Sequence, residues 1–257
     1  MADVSVSLSF LAVLIVSSFS LPLLFLVWIR NTERFGREPW RVVLRSFFGG
    51  ALFSVFVAIV VSLLLLAIFS EIAPLYVFLS NRFADPTAIL SVLVVAPLAE
   101  EASKALAVRS GRRETHVRVD GLVYGAAAGL GFSATENLVY GLAALTDPNL
   151  GPSGSLFLIA FRSFSSTFLH ASATAVTGYG LATGWLTGRP AAFLPFYFVA
   201  VLMHGTFNFL ASFGELYQDR YGDTATLIGF AATVVFALVA VTVVRFKLAA
   251  HPPGQEP

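Results

Sequence analysis

The chain has no cysteine, which removes disulfide frameworks, thiolate nucleophiles and cysteine-ligated metals together. Charge is scarce as well. Asp, Glu, Lys and Arg make up 12% of the 257 residues, where a soluble domain carries about 25%. The net charge of +1 points to neither a nucleic acid nor an acidic partner. Long loops are missing: the longest, near 70–86, has about 17 residues, too few for a folded soluble domain. There is no internal repeat, and no low-complexity stretch beyond the tail 251–257.

What is present is apolar. Hydrophobic residues reach 57%, with 25 phenylalanines, and the mean hydropathy is +0.81. This predicts an all-α, polytopic membrane helical bundle, with 1–257 forming a single integral membrane domain. Seven apolar runs are long enough to span: about 7–29, 46–69, 87–109, 119–145, 155–186, 191–213 and 224–244. The fifth is long enough to tilt or to end in an interfacial turn. The first has no Lys or Arg before it and no small-residue cleavage site after it, so it reads as a retained span rather than a signal peptide. Arg30, Arg34, Arg37, Arg41 and Arg45 follow it. Arg109, Arg112, Arg113 and Arg118 fill the third loop, Arg189 the fifth, and Arg245 and Lys247 follow the last span. The opposite side has Arg82 and Arg220, a bias of twelve to two. The N-terminus is therefore expected outside and the C-terminus in the cytoplasm, in a multi-pass plasma-membrane protein. Trp28, Trp40, Trp185, Tyr217 and Tyr221 fall near span ends, as interfacial anchors do.

Seven ionisable groups remain inside the runs: Glu100, Glu101, Lys104, Glu136, Arg162, His170 and His204. Each costs about 3 kcal/mol to insert near the bilayer centre, and such residues usually face the bundle interior and mark function. At 1.5 Å per residue, Glu100, Glu136, His170 and His204 can each lie within roughly 8 Å of the midplane. Lys104 follows Glu100 by four residues and Glu101 by three, so it can reach either. His204 and Asn208 share a helical face. Pro97 leaves a carbonyl unpaired one turn earlier, which often kinks a helix beside a site. Gly121, Gly125 and Gly129 form a small-residue stripe that reads as packing. Asp120 reads as an N-cap. Asn137 and Asn208 are equally readable as interhelical glue, and His116 and His251 carry no assigned role.

Three carboxylates with Lys104 and Arg162 leave one negative charge. A bound divalent metal or one protonated glutamate would compensate it, and the count does not choose between them. The soluble zinc-protease pattern HExxH is absent. Its parts can be distributed: Glu136, His170 and His204 as ligands of zinc or another imidazole-binding metal, and Glu100 or Glu101 as the base for water. Arg162 or Asn208 would stabilise the oxyanion. Peptide hydrolysis is the natural reaction of such a set. No Ser–His–Asp, Ser–Lys or paired-aspartate pattern competes with it.

Four stretches resemble the PrsW family of intramembrane metalloproteases: "EEASK" (100–104), "DGLVYGAAAGLGFSATEN" (120–137), "RSFSSTFLHASATAVTGYG" (162–180) and "HGTFN" (204–208). The resemblance covers about 87–213, in motif order and type. It implies a four-helix catalytic core at 87–213, with 7–69 and 224–244 as peripheral packing or gating helices. It also implies kinship with the type II CAAX prenyl proteases of the CPBP superfamily and the Aph scaffold subunit of gamma-secretase. Phe132 followed four residues later by Glu136 is the PrsW variant of the CAAX spacing. Glu100, Glu101, Glu136, His170 and His204 carry over as essential positions, with Glu100 favoured as the base. The implied substrate is a membrane-anchored protein, in some relatives an anti-sigma factor. The relatives leave open a metal-free mechanism with glutamate-activated water. The rival classes are a proton- or ion-coupled transporter, against which no inverted repeat is visible, and a catalytically silent scaffold.

Overall fold

The computed structural model describes residues 7–33 and 36–250. Arg34 and the tail with His251, both weighed above, lie outside the described residues. Within them the chain is helical, without a strand. Helix α1 (Leu8–Arg30) is followed by α2 (Trp40–Phe48), which runs through a π-helical turn (Gly49–Ser54) into α3 (Val55–Ser70). Helix α4 (Ala73–Ser80) occupies much of the expected 70–86 loop. Helix α5 (Pro86–Leu90) passes through a second π turn (Ser91–Val95) into α6 (Ala96–Val108). Then come α7 (Asp120–Thr146), α8 (Gly151–Phe164), α9 (Ser166–Thr187) and α10 (Leu194–Ala211). The single turns α11 (Phe213–Leu216) and α12 (Gln218–Tyr221) lead to the long α13 (Asp223–Ala249).

Local chemistry sets several of these ends. The Asp85 carboxylate accepts the Ala88 amide at 2.9 Å, and Pro86 fills the first turn, where its missing N–H leaves nothing unpaired. Gly188 closes α9 at φ +66°, and Pro190 bars continuation. Asp120 is not the N-cap expected of it. It is the first residue of α7, and its Oδ2 accepts the preceding amides of His116 and Val117 at 2.7 and 2.9 Å. The expected fifth span, 155–186, is broken at Ser165, where φ is −116° and ψ −76°. Hydroxyls compete with the helix there: Ser163 donates to Ile159 O and Ser165 to Phe161 O.

Among the described residues, four helical rods are long and apolar enough to cross a membrane: Leu8–Arg30, Trp40–Ser70, Pro190–Ala211 and Asp223–Ala249. The expected runs 87–109, 119–145 and 155–186 are helical but stay outside that group, because they carry the Glu, Lys and His residues and many Gly, Ala, Ser and Thr. Their environment is protein. Nearly all of α7 up to Ala134 is buried, as is most of α9.

The seam between α7 and α9 explains the glycine stripe. A Cβ on Gly121, Gly125 or Gly129 would lie 2.2, 2.3 or 2.1 Å from the carbonyl oxygens of Gly178, Thr174 and His170. Only hydrogen fits between these backbones, which gives the van der Waals contact that holds helices together when apolarity cannot. Gly129→Leu is expected to destabilise the protein by at least ~1–3 kcal/mol, read as a lower unfolding temperature in detergent. Gly49→Ala, whose methyl would meet the Ala107 methyl at 3.2 Å, should lose less.

Candidate active site

Glu100, Glu101 and Lys104 lie on the second turn and beyond of α6. Lys104 is fully buried. An ammonium has three N–H donors, and Nζ here has three acceptors: Glu101 Oε1 at 2.8 Å, Glu100 Oε2 at 3.2 Å and His170 Nδ1 at 2.7 Å. It also sits 4.2 Å above the Phe132 ring, an attractive place for a cation. These contacts make Lys104 the neutraliser of both glutamates.

The partners fix the histidine tautomers. His170 Nδ1 accepts from Lys104, so Nε2 carries the proton and donates to Glu136 Oε2 at 2.8 Å. His170 falls in the first turns of α9 rather than mid-span, because of the break at Ser165. His204 on α10 donates from Nδ1 to Glu101 Oε1 at 3.1 Å. Its Nε2 is left as an acceptor, 3.8 Å from Glu100 Oε2. The two imidazoles meet edge to face, centroids 4.9 Å apart. Glu101 has no exposed surface and also accepts from Thr174 at 3.0 Å. Glu100 keeps 13% of its side chain exposed.

Glu136 on α7 is shared by two helices. Arg162 of α8 donates an Nη2 proton to the same Oε2 that His170 reaches, at 2.7 Å. Arg162 is oriented by Asn137 Oδ1 at 3.1 Å and Ser166 at 3.2 Å, and stacks 3.8 Å over Tyr140. Asn137 in turn donates to Thr167 at 3.2 Å. Asn208, weighed for the oxyanion, has its amide on Val92 O at 2.8 Å. In the π register of Ser91–Val95 that carbonyl would look five residues ahead, to Pro97, which has no N–H. Asn208 supplies the missing donor and ties α10 to the π turn before α6.

A groove of about 310 Å³ opens between α3, the second π turn and α7. Glu100, Glu136 and Phe132 line it together with Ser91, Ile59 and Leu63. A larger cavity of about 620 Å³ lies between α6 and α9–α10, against Leu106, Trp185 and Tyr197. None of the clustered Glu and His residues lines it.

Buried carboxylates, imidazoles and an ammonium meeting beside an apolar groove fit hydrolysis within a membrane. The profile described as PrsW family intramembrane metalloprotease matches residues 38–244. The chain belongs to the PrsW family. It is 29% identical over 196 residues to Protease PrsW of Clostridioides difficile (strain 630), covering 73% of this chain and 74% of that one. No solved structure matches it significantly. A PrsW-family chain with four such apolar rods is a membrane protein of a protease family whose substrates are peptides.

The family description names a metal, and the donor set can be tested against it. Glu100, His170 and His204 each offer a ligand atom, all within 4.8 Å of one another. A carboxylate and two imidazoles suit zinc and its neighbours. His204 has the carboxylate-backed Nδ1–H that commonly orients a metal-binding imidazole. His170 is committed at both nitrogens, so ligation would require Nδ1 to release Lys104. The set fits in type and number. Glu136, expected from the sequence as the carboxylate ligand, contacts His170 Nε2 and Arg162, and Glu100 is the carboxylate grouped with both imidazoles within 4.8 Å. Thr174, Ser166 and Tyr140 were not foreseen; a hydroxyl or phenol in an apolar run is too common a signal to single them out.

Proposed function

We propose that this protein is a multi-pass membrane protease that hydrolyses peptide bonds of membrane-anchored substrates, with water activated at Glu100. The observation that carries this reading is the 3.8 Å gap between Glu100 Oε2 and His204 Nε2. It is too long for a hydrogen bond between them, and one water can bond to both. Glu100 accepts the water's proton. Glu101 holds His204 in the required tautomer. Lys104 keeps both carboxylates compensated, and Arg162 presents positive charge where the tetrahedral oxyanion develops. The apolar groove gives an extended peptide access from the lipid side. A divalent metal held by Glu100, His170 and His204 would polarise the scissile carbonyl and acidify the water, and Glu100 would then serve as a ligand in place of the free base. Seven spans, an outer N-terminus, a core at 87–213 and plasma-membrane residence complete the proposal. α6, α7 and α9 then cross inside a sheath formed by the more apolar rods.

Elemental analysis of purified protein should find about one zinc-class ion per chain, lost in His204→Ala together with cleavage of a reconstituted membrane-anchored peptide. Full cleavage by His204→Ala would sink the site. Metal-free protein with chelator-resistant activity would leave Glu100 to act on water alone.

A further inference from the structure

A second group of buried acids lies at the other end of α7. Asp120 precedes Glu136 by sixteen residues, about 24 Å of helix. Glu33 and Glu38 come from the α1–α2 connection, and each of the three acids is 3% exposed. Each offers one oxygen within 4.8 Å of the others. Asp120 Oδ2 accepts two backbone amides, and the Tyr124 hydroxyl donates to Glu38 Oε2. Glu33 Oε2 is buried and takes no hydrogen bond. Arg30 and Arg37 do not supply it through Nε, since they direct those donors to the backbone carbonyls of Glu38 and Glu33, at 2.7 and 3.1 Å. Burial, with Asp120 alongside, pushes the Glu33 carboxyl up to about 7 and that of Glu38 up to about 9. Without a cation, burial and mutual repulsion therefore favour the protonated carboxyls, and a bound cation would favour the charged ones.

We propose that Glu33, Glu38 and Asp120 form a site for a hard divalent cation of the calcium class, which fastens the α1–α2 connection to the start of α7. The donors are all oxygen, the preference of hard cations, and the set contains no imidazole. Oxygens up to 4.8 Å apart can share one ion at about 2.4 Å, within the calcium range. The orphan oxygen of Glu33 is then a ligand atom in place of an uncompensated buried acceptor.

The site is tested in a Glu100→Gln background, which weakens the Glu/His set. Chelator-treated protein in detergent is dialysed to equilibrium against Ca²⁺, and separately against Mg²⁺. One ion is expected to bind saturably and to raise the unfolding temperature. Glu33→Gln and Asp120→Asn, which keep side-chain volume, should each weaken binding by about tenfold or more and abolish the thermal gain. Terbium luminescence excited through Tyr124, displaced by Ca²⁺, reads the same site without either substitution. No saturable binding of either ion and no displaceable terbium signal would overturn the proposal, as would undiminished binding in both variants.

Discussion

Glu100→Gln is expected to purify as a folded membrane protein and to cleave a reconstituted membrane-anchored peptide about 10²–10⁴-fold more slowly than the parent. Glutamine keeps the side-chain volume, and its carbonyl oxygen can still accept from Lys104, so the packing around α6 has no reason to change. What it loses is the proton acceptor at the 3.8 Å gap facing His204 Nε2. Glu101→Gln makes a useful contrast. Glu101 has no exposed surface, and its oxygens are taken by Lys104, His204 and Thr174. It acts through His204, and its loss should also lower stability. Undiminished cleavage by Glu100→Gln would remove the hydrolytic reading. A scaffold would show altered assembly instead, with no cleavage in the parent either.

The second large effect is on folding. Lys104→Met is expected to lower stability by ~3–5 kcal/mol, because it strips the only ammonium from two carboxylates and a ring nitrogen inside the protein. Methionine fills similar space, so the loss isolates charge and hydrogen bonding from volume. Thermal unfolding in detergent measures it. Adding Glu101→Met should recover part of the loss, since removing both members of a buried pair is milder than removing one. An unchanged unfolding temperature for Lys104→Met would show that the network does not depend on this cation.

The cluster was legible because bilayer physics makes ionisable residues conspicuous. Glu100, Glu101, Lys104, Glu136, Arg162, His170 and His204 stand out from apolar runs, and spacing already linked Lys104 to both glutamates. The glycine stripe was readable from its four-residue spacing. Other features were not legible. The break at Ser165 depends on hydroxyl bonding that any serine-rich helix could make or decline. The π turn before Pro97 depends on Asn208 arriving from a helix over a hundred residues later. Glu33 and Glu38 belong to a connection where acids are ordinary, and only tertiary packing buries them. Spacing also could not show that Arg162, reaching in from a separate helix, engages Glu136, or that Glu100 lies with His170 and His204 within 4.8 Å.

The flank of the bundle at α3 differs from its spine. Of the sixteen residues of Val55–Ser70 only Ala58 is buried, and Phe56, Ile59, Leu63 and Leu64 point outward. The glycine seam fixes α7 to α9, so the wall beside the groove that has least protein holding it is this one. In a bilayer that wall is completed by acyl chains. On the proposed reading, an arriving peptide displaces hydrocarbon rather than side chains there, and the thickness and fluidity of the surrounding lipid become part of what sets the rate.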